Sequence, residues 1–138
     1  MNINLEYEIA KGIVSEYIDT MNKECEATEE NIKLFDADMT DSTVFDYFNR
    51  EKALRFVRTW RIIQSDKISI AQRNLLCAFA ACDNKLAECL DFFNGKGKNI
   101  KNKRTLAVMI SNARKAVTEE YNKLYKEKYN EIYDRDYL

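Results

Sequence analysis

The chain has 138 residues, 46% of them hydrophobic, with seven Phe, eight Tyr and one Trp, which suits one compact core and argues against intrinsic disorder. It has no proline and three glycines, so helix punctuation is nearly absent; a strand-and-turn protein is disfavoured and an all-α fold of long helices is predicted. The net charge of −1 hides a partition: residues 1–50 carry twelve acids against four bases, residues 51–118 five against fourteen, and residues 119–138 six against four.

The first helix is predicted from near Asn4, with Ile9, Ile13, Val14, Tyr17, Ile18 and Met21 on one face, fraying around Cys25. An acidic stretch follows, in which a short helix capped by Thr28 buries Ile32, Leu34 or Phe35, and Asp36 to Ser42 reads as a loop. Asp41 or Ser42 caps the next helix, whose apolar positions are Val44, Phe45, Phe48, Leu54, Val57, Trp60 and Ile63. The quartet Asn49–Lys52 interrupts that face and marks a possible break. Lys52, Arg55, Arg58 and Arg61 lie on the opposite side, either tracking a phosphate backbone or forming a solvated polar face. A helix capped by Ser69 turns Leu75, Leu76, Phe79 and Cys82 inward. Asp83 and Asn84 supply a turn and a new N-cap for a short helix with Leu86, Ala87, Leu90 and Phe93, which Asn94-Gly95 ends in the left-handed conformation. A long helix opens near Asn102 and carries Leu106, Ile110, Ala113, Val117, Tyr121, Leu124 and Ile132, running past Ile132. The whole reads as a single helical domain over 1–138, a compact bundle of about five helices. Its parts are acidic N-terminal helices and a central basic helix (1–64), a helix-turn-helix-like unit (69–117) and a Tyr-rich continuation of the last helix (118–138).

Between the fourth and fifth of these helices, Lys96, Lys98, Lys101, Lys103 and Arg104 place five cations in nine residues beside Gly95 and Gly97. A mobile basic turn entering a helix N-terminus offers amides, ammonium groups and a positive dipole end to phosphate oxygens. The order of helix, short turn, short helix, loop and longer helix over Ser69–Val117 is that of a three-helix helix-turn-helix unit. Thr105-Leu106, Ile110, Ala113-Arg114-Lys115 and Val117 then resemble the recognition helix of region 4 in bacterial sigma factors and the phage regulators that share it. Gln72-Arg73, Leu75-Leu76 and Leu86-Ala87-Glu88-Cys89-Leu90 are similar to that family's first two helices. The turn of Asn94 to Lys103 is longer than the family's, and the connection before Leu86 is shorter. The resemblance implies that Arg104, Thr105 and Ser111 lie near DNA and that Arg114 and Lys115 contact its backbone.

The four cysteines, with no histidine and no two-residue Cys spacing, make no metal framework, and no cofactor is expected. Cys77, Cys82 and Cys89 read as buried, reduced thiols. No leader pattern opens the chain, and the longest apolar run, Leu75 to Cys82, is too short to span a bilayer. The expectation is a soluble, cytoplasmic protein without a membrane partner. No nucleophile, phosphate-loop or paired-acid motif supports an enzyme. Two functions remain open. One is a DNA-binding transcriptional regulator of a phage or mobile element, gripping double-stranded DNA through the basic turn and the following helix, with Arg55, Arg58 and Arg61 as further contacts. The other is a small phage-encoded inhibitor that blocks a host nuclease, polymerase or defence complex. Tyr121, Tyr125, Tyr129 and Tyr133 form a ladder on the last helix. It folds back onto the N-terminal helix or joins a homodimer.

Overall fold

The computed structural model describes residues 12–37 and 44–125. Within them stand five helices and no strand: α1 (Ile13–Ala37), α2 (Val44–Ile63), α3 (Ile70–Ala81), α4 (Leu86–Gly95) and α5 (Lys103–Tyr125). The protein is all-α, as its composition and periodicity required. The expected start near Asn4, the caps Asp41 and Ser42, and the ladder residues Tyr129, Ile132 and Tyr133 lie outside the described residues. So do the side chains of Val44, Phe45 and Phe48.

α1 is one continuous helix where two were expected. With no glycine or proline between Cys25 and Ala37, the apolar face passes from Val14, Tyr17, Ile18 and Met21 through Cys25 to Ile32. Thr28 is therefore not a cap. Its hydroxyl donates to the Glu24 carbonyl at 2.7 Å, the back-bond a helix-interior threonine makes. Of the residues expected inward here, Ile32 packs against the core, while Leu34 is exposed.

α2 also runs without the expected break, because Asn49–Lys52 is polar but not helix-breaking. Two devices tie it to α1. The Trp60 ring donates from Nε1 to Asn22 Oδ1 at 2.8 Å and meets Tyr17 edge-on at 6.2 Å. Arg50 grips the Asp36 carboxylate through two nitrogens, at 2.6 and 3.1 Å; that hydrogen bonding holds the Asp36 carboxyl below the usual carboxylate range.

Ser69 caps α3 as expected, its hydroxyl accepting from the Gln72 amide at 3.1 Å. The turn at Asp83 and Asn84 is made by two consecutive left-handed residues, φ 55° and 59°, residue types that tolerate that region. Neither caps α4, since the N-cap position falls on Lys85 and has no side-chain bond. α4 also ends differently from expectation. Gly95 is still helical, and Gly97, at φ 92°, is the left-handed residue. The Lys98 amide then closes the helix by donating to the Phe93 carbonyl at 3.1 Å.

α1 packs on α2 and α3, and α5 lies across α2, α3 and α4. One apolar cluster draws on all five helices and on Ile68 and Ile100 in the connections. Its α5 stripe is Leu106, Ile110, Ala113, Val117 and Tyr121, all buried. Leu124, expected to continue the stripe, is exposed, and Tyr125 packs inward instead. Four-residue steps from Val117 to Tyr125 drift about 40° each, which keeps the stripe against α2. The ladder's described half thus folds back on the chain, but onto α2 rather than the N-terminal helix. All four cysteines are free and buried. Burial pushes the Cys77 and Cys89 thiols up to about 12. No described helix is long and apolar enough to cross a membrane.

Candidate nucleic-acid interface

The loop joining α4 to α5 holds its cations on a fixed frame and is not the slack turn its glycines suggest. Asn94 reaches across it with both ends of its carboxamide. Its Oδ1 accepts from the Ile100 amide at 2.9 Å, and its Nδ2 donates to the Ile100 carbonyl at 3.2 Å. The Ile100 side chain is buried. Polar clasp and apolar plug together tether the loop midway between its ends.

Asn102 then caps α5, its Oδ1 accepting from the Thr105 amide at 2.9 Å and the Thr105 hydroxyl at 3.1 Å. Lys103 and Arg104 consequently occupy the first positions of α5, with Lys101 just outside. The first turn of that helix contains no acidic residue. Cations there oppose the positive end of the helix dipole, at about 0.3–1 kcal/mol each. The ion pairs of the described residues are Lys33–Glu30, Arg50–Asp36, Arg50–Glu51, Arg61–Glu29 and Lys85–Glu88. None of them takes up Lys96, Lys101, Lys103, Arg104 or Lys115.

The outward face of α5 continues this surface. Arg104, Val108, Ser111 and Lys115 are all exposed. Their spacing of four, three and four puts them on one stripe opposite Leu106, Ile110, Ala113 and Val117. Thr105 and Asn112 are exposed beside it. From Arg104 to Lys115 the stripe runs about 16 Å at the α-helical rise. It has a cation at each end and an uncharged middle. Val108, 54% exposed, and Asn112 were not singled out in the sequence. Their places opposite the apolar stripe were the available signal, and the apolar Val108 obscured it.

Other expected contacts are used inside the fold. Arg61 pairs with Glu29 on α1. The Arg58 guanidinium lies over the Tyr125 ring, 4.6 Å from its centre. Burial raises the Tyr121 hydroxyl, and the nearby Arg58 and Arg55 pull it down, so both arginines stand on the α5 side of α2. Arg114 turns to the Phe79 ring at 5.6 Å and lines a small internal cavity. It is half-buried, whereas Lys115 beside it points out. Lys98 is half-buried and lines a groove next to α5. The expected set thus separates. Lys96, Lys101, Lys103, Arg104, Thr105, Ser111 and Lys115 share one exposed surface, while Arg55, Arg58, Arg61 and Arg114 have neighbours within the fold.

Among the described residues, no cluster of three or more Cys, Asp or Glu is placed to hold a metal. Compared with known proteins, the chain matches no family model, no curated protein and no solved structure.

Proposed function

We propose that the protein binds double-stranded DNA through the α4–α5 loop and the outward face of α5, as a transcriptional regulator of a phage or mobile element. One observation carries this reading: exposed cations gather at the positive end of α5, on a tethered loop, without acidic partners among the described residues. A fold that only needed stability would place acids there. A phosphate at this position relieves the repulsion and is met by the free amides of the first turn. The length of the stripe suits a major groove about 12 Å wide, with Lys101, Lys103 and Arg104 at one wall and Lys115 at the other. Thr105, Val108, Ser111 and Asn112 then face base edges, Val108 offering an apolar contact to a thymine methyl. A homodimer, which would place two such surfaces on one duplex, now rests on Tyr129 and Tyr133, because Tyr121 and Tyr125 pack within the fold.

The test is a salt series on duplex DNA with Lys96, Lys101, Lys103, Arg104 and Lys115 all changed to Gln. The affinity of the unmodified chain should fall steeply with salt, by about 0.9 log units per log of salt for each phosphate contact. The variant should lose most of that slope while keeping its fold. Equal binding by the two proteins would refute the interface.

A second reading, a protein that docks on and blocks a host nuclease, polymerase or defence complex, draws on the exposed Ile70, Val108 and Met109 beside the cations. It requires a stable protein complex that survives salt, with no duplex binding.

A further inference from the structure

Next to the stripe lies a groove of about 280 Å³ where α3, α4, the tethered loop and α5 meet. Leu75, Phe93, Ile100 and Met109 form its apolar walls. Three carboxamides line it as well, Gln72 and Asn74 from α3 and Asn112 from α5, together with the Lys98 ammonium from the loop, and no acidic side chain does. Asn74 is 2% exposed, so its amide is held in place by packing and not by solvent.

This combination is selective. An apolar cavity of about 150 Å³ takes one benzene ring, so the groove has room for a two-ring heterocycle. Each carboxamide offers a donor and an acceptor in one plane, the pattern by which Asn and Gln meet the edge of a nucleobase. Met109 and Phe93 supply polarisable and aromatic surface against which a base packs. A lysine in a lining without acids favours an anionic group on the same molecule. A purely aliphatic ligand would leave the amides unused, and a simple anion would leave the apolar walls wet.

We propose that this groove is a nucleotide pocket, taking an unpaired base between Met109 and the three carboxamides with its phosphate on Lys98. The phosphate assignment rests on the polyanion reading of the neighbouring loop. The base assignment rests on the groove itself. The chemistry is shared by two sources, a free nucleoside monophosphate and a nucleotide extruded from a nucleic acid.

The test is an amide-resolved NMR titration of the full chain with adenosine monophosphate, adenosine and inorganic phosphate. Adenosine monophosphate should move the side-chain amide signals of Asn74 and Asn112, and inorganic phosphate should not. Adenosine should bind about tenfold more weakly, a difference of roughly 1.4 kcal/mol, and Lys98→Gln should reduce the monophosphate to the level of the nucleoside. Ala71→Phe, which fills the groove from an exposed position on α3, should abolish those shifts. Asn112→Leu, on the exposed face of α5, provides a second variant should Ala71→Phe melt early. The pocket is overturned if adenosine monophosphate leaves Asn74 and Asn112 unmoved, or if a normally folded variant binds it like the unmodified chain.

Duplexes with and without one unpaired adenosine separate the sources. A preference for the bulged duplex that Asn112→Leu removes identifies an extruded nucleotide. Nucleotide binding without that preference identifies a free one. If duplex binding fails altogether while the groove shifts persist, the interface falls and the pocket stands.

Discussion

Asn94 is the residue on which the proposed interface depends most, although it carries no charge. Its two hydrogen bonds to Ile100 hold the loop that presents Lys96 and Lys101. Asn94→Ala removes both and leaves the backbone groups of a buried residue to find other partners, an expected cost of about 1–3 kcal/mol in urea unfolding. Duplex affinity should drop as well, because ordering the loop is then charged to binding. A variant with unchanged stability would show that the clasp does not hold the loop. Cys77 and Cys89 give a pH expectation at the same scale. Their thiols are raised from the ordinary 9.0 to about 12 by burial. The unfolded chain therefore loses these protons first as pH rises, so their contribution to stability is intact below pH 9.0 and falls between 9.0 and about 12. Urea midpoints measured across that range should decline, and Cys77→Ala with Cys89→Ala should flatten the decline from an already lower start.

Among the elements, α5 shows the clearest conflict between stability and the proposed function. Its inner stripe packs α2, α3 and α4, while its first turn opposes its own dipole. Lys103→Gln and Arg104→Gln should each stabilise the fold by about 0.3–1 kcal/mol at low salt and weaken duplex binding. Thermal melts beside binding isotherms check both signs. A purely structural role for these cations predicts lower melting temperatures, and that result would remove the reason to place a phosphate there. α2 shows the opposite use of cations. Arg61 pairs with α1, while Arg58 reaches the Tyr125 ring of α5, so these arginines join helices.

For the whole molecule, the charge partition becomes spatial. Acidic α1 meets α2 through Arg50–Asp36 and Arg61–Glu29, which uses some of the opposite charge inside the fold. The cations of the α4–α5 loop and of the α5 stripe remain turned outward. The last turns of α5 close the bundle against α2. A chain truncated after Thr118 loses the buried Tyr121 together with Tyr125, and deletion of a buried aromatic side chain alone costs about 3–5 kcal/mol. Circular dichroism should show the truncated chain losing its cooperative melt. If it melts like the full chain, Tyr121 and Tyr125 do not close the fold.

The helical class, the Ser69 cap, the start of α5 near Asn102 and the stripe from Leu106 to Tyr121 were all legible in the sequence, because each depends on local composition, capping chemistry or a 3.6-residue period. The positions misjudged there were of a different kind. Thr28 suits a cap and a helix interior alike, and Gly95 and Gly97 are both able to take a left-handed turn. The neighbouring backbone decides in each case. The cations were harder still, since Arg58, Arg61, Lys103 and Lys115 are all polar positions on amphipathic helices. Periodicity places a charge on a helix face, but only the packing of α1 and α5 around α2 determines which faces meet another helix and which remain turned outward. The groove beside Met109 follows the same logic, being assembled from three helices and a loop that are distant in sequence, and it exists only once they pack.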